Sequence, residues 1–188
     1  MWSFSRLRDT SKIKVEEIQW QGHFSWPGYE NQNNLDKIPD TEGVYIFTFQ
    51  YKDGYLVYAA GITNSTKKRI RSHTLEYKSG RYTVLNVSSA QQGERQEIWH
   101  GWKYARTHQE ELNKQKEEIL TAVDEQLKSF RIFIAQVSDK RTRERFEAAI
   151  MHNIYYCKEL WAELADRGMF LNGRYNAEMP IEIKNISD

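Results

Sequence analysis

Two apolar runs in the first third of the chain, separated by turn-forming residues, predict a β-hairpin. The first run is GVYIFTFQY, residues 43–51, and the second is YLVYAAG, residues 55–61. Both are rich in β-branched and aromatic residues, which favour strands. Asp53 and Gly54 stand between them, and Asp-Gly is a strong signal for a two-residue turn.

The next segment has the end signals of a helix. Residues 66–79 can form a helix that Asn64 or Ser65 caps, because a side-chain oxygen there can accept a hydrogen bond from the first turn. Gly80 is placed as its C-terminal stop. The sequence therefore predicts a helix that begins just after residue 65 and ends at Gly80.

Further elements follow from the spacing of apolar residues. Short strands are predicted at residues 82–87 and 130–137. Between them, from about residue 94 to 128, apolar residues recur at helical spacing among charges and predict an amphipathic helix or helix pair. Residues 141–166 carry apolar side chains three and four apart and predict a long amphipathic helix. Residues 1–42 show no clean period and predict an extended arm that covers the domain.

Composition limits the class of protein. The chain has 188 residues, of which 39% are hydrophobic, enough for one well-packed domain. Its net charge of +1 excludes a highly charged polybasic binder but allows one basic face. The single cysteine, Cys157, excludes an intrachain disulfide and a cysteine-rich zinc site. Without an apolar signal region in the first 14 residues, or an apolar run near the roughly 18 residues that span a bilayer, we expect a cytoplasmic protein without a membrane partner.

Two residues of the predicted first helix suit a phosphate-bearing ligand. Arg69 and His73 are four apart and share one face of that helix. The planar fork of Arg matches phosphate, and His titrates near neutral pH. With Lys67, Lys68 and Arg71 beside them, however, these residues by themselves indicate a solvated basic face more often than a site.

Glu147 is a candidate ligand for a hard cation. It follows Phe146 on the predicted long helix and shares its side with Met151, so it should lie at the edge of the apolar stripe, partly desolvated. Carboxylate oxygens there suit magnesium. The ordinary alternative is a boundary glutamate that pairs with Arg143 or another nearby arginine.

The joint order of these signals resembles the GIY-YIG nuclease family. GVY opens one strand at residues 43–45, a second strand ends in Gly61, Arg69 comes eight residues later and His73 four after that. A glutamate on a later helix and Gly-Arg-Tyr-Asn at residues 173–176 complete the order. The family includes homing endonucleases, the incising subunit of bacterial nucleotide-excision repair and some restriction enzymes.

The resemblance implies an α+β fold with a small three-stranded antiparallel sheet flanked by helices. It also implies hydrolysis of DNA phosphodiester bonds with one divalent metal, Mg²⁺ or Mn²⁺. The chain then divides into an N-terminal arm packed on the core at residues 1–42, a nuclease domain at residues 43–176 with a helical insert at about 94–128, and a C-terminal tail at residues 177–188.

The resemblance also implies roles for residues at matching positions. Those implied in catalysis are Tyr45, Tyr58, Arg69, His73 and Glu147, of which Glu147 binds the metal. Those implied in support of the site are Gly43, Gly61 and Asn176, with Lys67, Lys68 and Arg71 as candidates for DNA contacts. Glu144 is the rival for the metal role, and Asn172 is the rival of Asn176. The base stays open between Tyr45, Tyr58 and His73, and a tyrosine base would need a cation such as Arg69 to lower its pKa.

The second motif departs from the family pattern. Ala59 stands where the tyrosine is expected, and Tyr58 stands one place earlier. With the Asp-Gly turn, Phe49 faces Tyr58, so Tyr58 shares the Tyr45 side of the sheet and Ala59 points away. A β-bulge would absorb the extra alanine. A pairing that puts Ala59 on the Tyr45 side would contradict this interpretation.

Two other functions stay open. The irregular motif favours a non-catalytic nucleic-acid-binding module with the same fold. A protein-interaction domain that docks through the arm and the insert is the third hypothesis, favoured if Trp20, Trp26, Trp99 and Trp102 are exposed and weakened if they are buried. DNA is the expected partner, and the insert is a candidate surface for a homo-oligomer.

Overall fold

The computed structural model describes residues 13–187, so the first twelve residues of the predicted arm and the last residue of the predicted tail lie outside it. Within that range the strands are Lys14–Ser25 (β1), Gly43–Tyr51 (β2), Gly54–Thr63 (β3), Val84–Leu85 (β4), Glu97–Trp99 (β5), Arg131–Gln136 (β6) and Ile181–Ser187 (β7). The α-helices are Glu30–Asn33 (α1), Thr66–Lys78 (α2), Val87–Ala90 (α3), Trp102–Thr107 (α4), Gln109–Lys114 (α5), Lys116–Ser129 (α6) and Lys140–Tyr155 (α7). A 3₁₀-helix spans Leu160–Leu164.

The main sheet has five strands in the order β3-β2-β6-β1-β7. All neighbours are antiparallel except β1 and β7, which are parallel. Strands β4 and β5 form a separate antiparallel pair. The predicted α+β class is therefore confirmed, but the predicted sheet of three strands is wrong in extent. Strands β3, β2 and β6 form an antiparallel unit, to which β1, from the predicted arm, and β7, from the predicted tail, add two more.

Helices cover both faces of the sheet. Phe47 and Phe49 of β2 pack with Trp26 and Phe130 in one core cluster, which also holds buried residues of α2 and α6. The alternate residues of β2 face the other way, where Val44 packs in a cluster with Phe146 of α7 and Ile46 in one with Met151. The sheet therefore separates α2 and α6 from α7.

The hairpin register differs from the prediction. Tyr51 pairs with Gly54, so the two turn residues are Lys52 and Asp53 rather than Asp53 and Gly54. Lys52 adopts the left-handed conformation, with φ of 50°, that a tight hairpin turn requires. Because the turn begins one residue earlier than predicted, Phe49 pairs with Leu56 instead of Tyr58.

A β-bulge changes the register of the hairpin further along β3. Thr48 pairs with Val57 and Phe47 with Ala59, which leaves Tyr58 as the extra residue. Ala59 therefore lies opposite Phe47, on the same side as Tyr45, and the prediction that it points away is wrong. The predicted bulge exists, but its extra residue is Tyr58 and not an alanine.

The predicted helices are present with altered ends. Ser65 caps α2 by accepting a hydrogen bond from the Lys68 amide, and Gly80 follows the helix with φ of 72°. Helix α7 ends at Tyr155, earlier than the predicted residue 166. The predicted insert contains β5 and three helices, of which α6 buries Ile119, Val123 and Leu127 in the core. None of the helices within residues 13–187 is long and apolar enough to cross a membrane.

Candidate active site

A cavity of about 330 Å³ lies along the edge strand β3 and collects side chains from both faces of the sheet. Tyr45 reaches it from β2, Arg69 and His73 from α2, and Glu147 from α7. Strand β3 contributes Tyr58 and then only small residues, at positions 59–61. Because no strand within residues 13–187 pairs with the outer side of β3, groups from opposite faces of the sheet meet around this edge. The five residues to which the resemblance assigns catalytic roles thus line one cavity.

Gly61 makes room for the ring of Tyr45. The two residues face each other across the hairpin. A Cβ at position 61 would lie 2.1 Å from the hydroxyl oxygen of Tyr45 and 2.2 Å from Cζ. The tyrosine ring therefore lies directly over the glycine, and no other residue at position 61 fits this arrangement. Gly43 is needed in a similar way, because a Cβ there would lie 1.9 Å from the carbonyl oxygen of Ala135 on β6.

Three polar side chains form a connected group at the cavity. The hydroxyl oxygen of Tyr45 lies 2.6 Å from Nε2 of His73 and accepts a hydrogen bond from Nε of Arg69 at 3.1 Å. Burial and, to a smaller extent, the charge of the Arg69 guanidinium together lower the pKa of His73 to about 3, so the imidazole is neutral at pH 7. Its Nδ1 is buried without a hydrogen-bond partner among the described residues.

The pKa of Tyr45 moves in the opposite direction from the one a tyrosine base would need. Burial raises it to about 12, although Arg69 opposes this shift by its charge and its hydrogen bond. The desolvation of the phenolate outweighs the nearby cation. Tyr45 is therefore a neutral phenol at pH 7, suited to hydrogen bonding rather than to the role of a preformed base.

Glu147 is a buried carboxylate, 8% exposed, that faces the cavity. Burial raises its pKa to about 7; the charge of Arg69 lowers it and that of Glu144 raises it. It makes no hydrogen bond or ion pair with any residue between 13 and 187. The alternative partner, Arg143, instead pairs with Glu42 at 2.9 Å and donates to Asn64 at 2.7 Å. The ordinary explanation of Glu147 as half of an Arg143 pair is therefore wrong.

The carboxylate of Glu147 could bind a divalent cation whose other ligands are water and substrate oxygens. A buried carboxylate without a partner is costly, and a cation would compensate its charge. Mg²⁺ is often held by one or two carboxylates together with water and substrate phosphate oxygens. Within the described residues no group of three or more His, Cys, Asp or Glu side chains could hold a metal by itself. A cation at Glu147 would therefore need oxygens from water and substrate.

The bulged Tyr58 lines the same cavity as Tyr45, but its hydroxyl is already engaged. It donates to the carbonyl oxygen of Thr83 at 3.3 Å, and burial raises its pKa well above the usual value. Its ring packs against Phe49 and Phe130. Tyr58 is thus placed at the site with its polar atom directed to the protein backbone.

The remaining predicted residues lie elsewhere. Asn176 is exposed in a turn, and neither it nor its rival Asn172 lines the cavity. The rival carboxylate Glu144 pairs with Arg141 at 2.9 Å and also lies outside the cavity lining. The basic residues of α2 are exposed on the helix that carries Arg69 and His73; they are Lys67, Lys68 and Arg71.

The cavity also contains residues that the sequence did not indicate. Asp166 is buried, and its Oδ1 accepts hydrogen bonds from Trp102 Nε1 and from the Gly168 amide, each at 3.0 Å. Tyr82 and Phe170 also line the cavity. All three lie in loops of the structure, and the motif order that resembles the nuclease family assigns no role to their positions. Comparison of the chain with models of known families, with curated proteins and with solved structures gives no match.

Proposed function

We propose that this protein is a metal-dependent endonuclease that hydrolyses phosphodiester bonds in DNA, of the GIY-YIG type. The observation that supports the proposal is that Tyr45 of β2, Arg69 and His73 of α2, and Glu147 of α7 on the opposite face of the sheet line one cavity. Phosphodiester hydrolysis needs a positioned water, neutralised phosphate charge and a stabilised leaving oxygen. These four side chains offer the chemical groups for those tasks.

Arg69 contacts the phosphate. Its Nε is held by Tyr45, and its two terminal nitrogens make no hydrogen bond to another described residue. The guanidinium is thus fixed at one end and free at the end that presents two parallel N–H groups. Such a fork matches two phosphate oxygens.

Tyr45 orients the attacking water or a phosphate oxygen. Neutral His73 carries one ring proton, and we assign it to Nε2, because a buried N–H left without an acceptor at Nδ1 would be costlier than an unused lone pair. The oxygen of Tyr45 then accepts from both Arg69 and His73. Its own hydrogen is left to donate into the cavity.

Glu147 holds the cation. When bound there, a divalent ion acts as a Lewis acid that stabilises the leaving oxygen. The raised pKa of Glu147, about 7, means that the carboxyl is partly protonated at neutral pH in the absence of a cation. Cation binding therefore competes with a proton at this residue, and the protein binds the cation more tightly as the pH rises.

A nucleic-acid-binding module without turnover is the second candidate. It is favoured by Tyr58, whose hydroxyl is bonded to the Thr83 carbonyl rather than free in the cavity. The interaction-domain hypothesis is weaker, because Trp26 and Trp99 are buried and Trp20 and Trp102 are half-buried.

Incubation of supercoiled plasmid and of single-stranded DNA with Mg²⁺ or Mn²⁺ separates these candidates. The nuclease proposal predicts cleavage by the wild-type protein that EDTA stops and that Glu147→Ala abolishes, while the variant still binds DNA. Binding without cleavage in either metal would reject the nuclease and favour the module.

A further inference from the structure

Three aromatic side chains on the cavity have no part in the hydrolysis just described. Tyr82, Trp102 and Phe170 line the cavity that also contains Arg69. The rings of Tyr82 and Trp102 have centroids 5.0 Å apart, and Phe170 is 87% exposed. We call these three residues the aromatic wall. A side chain as exposed as Phe170 has most of its ring free to contact a ligand that enters the cavity.

Trp102, the indole of the wall, is held in position through the strand that carries the bulge. Trp102 Nε1 donates to Asp166, and the Asp166 amide in turn donates to the carbonyl oxygen of the bulged Tyr58 at 2.8 Å. Gly168 lies against the indole, where a Cβ would come within 2.3 Å of the ring. The indole is therefore fixed from one side before any ligand arrives.

The combination of wall and cations is complementary to a nucleotide. Arg69 offers N–H groups to a phosphate, and Lys67, Lys68 and Arg71 add exposed positive charge on the same helix. Aromatic side chains beside a cationic groove stack on bases of any sequence, because every base has a π face. In a duplex those faces are covered by neighbouring bases. Only a base outside the helical stack can use the wall.

We propose that the substrate is DNA with an unpaired nucleotide next to the scissile phosphate, whose base stacks on the aromatic wall while Arg69 contacts the phosphate. This rests on the nuclease function proposed above and narrows its substrate class. The cavity volume of about 330 Å³ is at the small end for ligand pockets. The helical insert, through Trp102, thereby supplies part of the substrate site.

Binding in EDTA tests this without depending on cleavage. The probes are a fluorescent single-stranded oligonucleotide, the same strand with abasic positions, and its blunt duplex, measured by anisotropy. Phe170→Ala is the main variant because the side chain is exposed and its removal leaves the core intact; Trp102→Leu is the second. Tyr156→Ala, another exposed aromatic residue that does not line this cavity, is the control.

The wall predicts that the single strand binds more tightly than the duplex and that abasic positions or Phe170→Ala weaken its binding about 5- to 150-fold, the range for one lost stacking contact. Tyr156→Ala should bind like the wild type. Equal affinity for normal and abasic strands, or an unchanged affinity in both wall variants, would overturn the inference. Duplex cleavage that neither variant affects would overturn it while leaving the nuclease proposal intact. Base-dependent binding without cleavage would support the wall and reject the nuclease.

Discussion

The hydroxyl oxygen of Tyr45 lies 2.6 Å from Nε2 of His73, and both side chains are buried. The same oxygen accepts a hydrogen bond from Arg69, so one atom of strand β2 positions two side chains of helix α2. The hydrogen bonds couple the orientation of the phosphate-binding group to that of the tyrosine. Disturbance of Tyr45 should therefore affect all three residues together.

Tyr45→Phe removes this shared oxygen while keeping the ring. We expect cleavage to fall about 100-fold or more, because a positioned hydrogen-bonding or proton-transfer group contributes on that order. Loss of the partner of buried His73 should also lower the free energy of unfolding by about 1–3 kcal/mol. Cleavage kinetics and urea denaturation measure the two effects.

Tyr55→Phe is a matched control, because the Tyr55 hydroxyl lies 2.9 Å from Nδ1 of His23 in an exposed pair outside the cavity. Water can replace that contact, so activity and stability should stay close to wild type. If both variants behave alike, the role assigned to Tyr45 is wrong.

Gly61→Ala should displace the Tyr45 ring, because the new Cβ would overlap the phenol at 2.1 Å. We expect loss of cleavage together with reduced stability. Gly54→Ala, in the same strand, is the control, since a Cβ there meets no atom of the described part of the chain within 4 Å. Cleavage assays and thermal unfolding should show losses in Gly61→Ala and values close to the wild type in Gly54→Ala. A fully active Gly61→Ala protein would contradict the packing of Tyr45 over Gly61.

His73 should make the protein less stable in acid. Its pKa is about 3 in the folded state, against an ordinary value of 6.5, so the unfolded chain binds the proton more tightly. Stability is then present above pH 6.5 and is lost as the pH falls through the range toward 3. Between pH 7 and 5 this amounts to a loss on the order of 1–2 kcal/mol.

Urea denaturation of wild type and His73→Gln at pH 7 and pH 5 measures this contribution. From pH 7 to pH 5 the free energy of unfolding should change less favourably in the wild type than in the variant, by about 1–2 kcal/mol. The raised pKa of Glu147 adds the same opposite contribution to both proteins, so the difference between them isolates His73. In His152→Gln, at an exposed position on α7, the free energy of unfolding should change between the two pH values as it does in the wild type. If it also changes in that way in His73→Gln, His73 is not the group responsible.

The basic residues of α2 should set the salt dependence of DNA binding. Each phosphate contact contributes a slope of about −0.9 to the dependence of log K on log salt concentration. Substitution of Lys67, Lys68 and Arg71 by Ala should therefore reduce the slope by up to about three such contributions. The control is Lys114→Ala with Lys116→Ala, two exposed lysines on the helical insert. An unchanged slope in the α2 variant would place the DNA on another surface.

The order of strands and helices around the site could be predicted from the sequence, because local signals mark them. The capping Ser65, the stop at Gly80 and the alternation of β2 are each local. Strand β7 also carried a signal, since Ile181 and Ile183 alternate with charged residues, but its place in the sheet depends on pairing with β1, which is distant in sequence. The number of strands in the sheet therefore could not be predicted from local sequence signals, because it depends on pairing between distant segments.

The hairpin shows why the details of the site could not be predicted. Either Lys52 and Asp53 or Asp53 and Gly54 can form a two-residue turn, and the choice moves the partner of every β2 residue by two positions along β3. Packing decides instead: Tyr45 can lie over position 61 only if that residue is glycine, and Tyr58 is bulged into the core. Asp166 and Trp102 reach the cavity through contacts across the fold, for which the sequence has no local pattern.

The charge of Glu147 should control activity through pH. Because burial raises its pKa to about 7, its ionised fraction grows as the pH rises through 7. At limiting Mg²⁺, cleavage should increase across that range, and saturating Mg²⁺ should shift the increase to lower pH because the cation competes with the proton. Glu147→Gln should lose this pH dependence along with activity.

By linkage, ionisation of Glu147 also lowers the free energy of unfolding of the wild type as the pH rises from about 4.5 to 7.

The most direct test of the central claim is plasmid cleavage in Mg²⁺ by the wild type, Glu147→Gln and Glu144→Gln, with DNA binding measured in parallel. Both substitutions keep the size of the side chain, and the two glutamates lie one turn apart on α7, but only Glu147 lines the cavity. We predict that Glu147→Gln binds DNA and does not cleave it, whereas Glu144→Gln cleaves at a rate near that of the wild type. Cleavage by Glu147→Gln at the wild-type rate, or no metal-dependent cleavage by any of the three proteins, would contradict the claim.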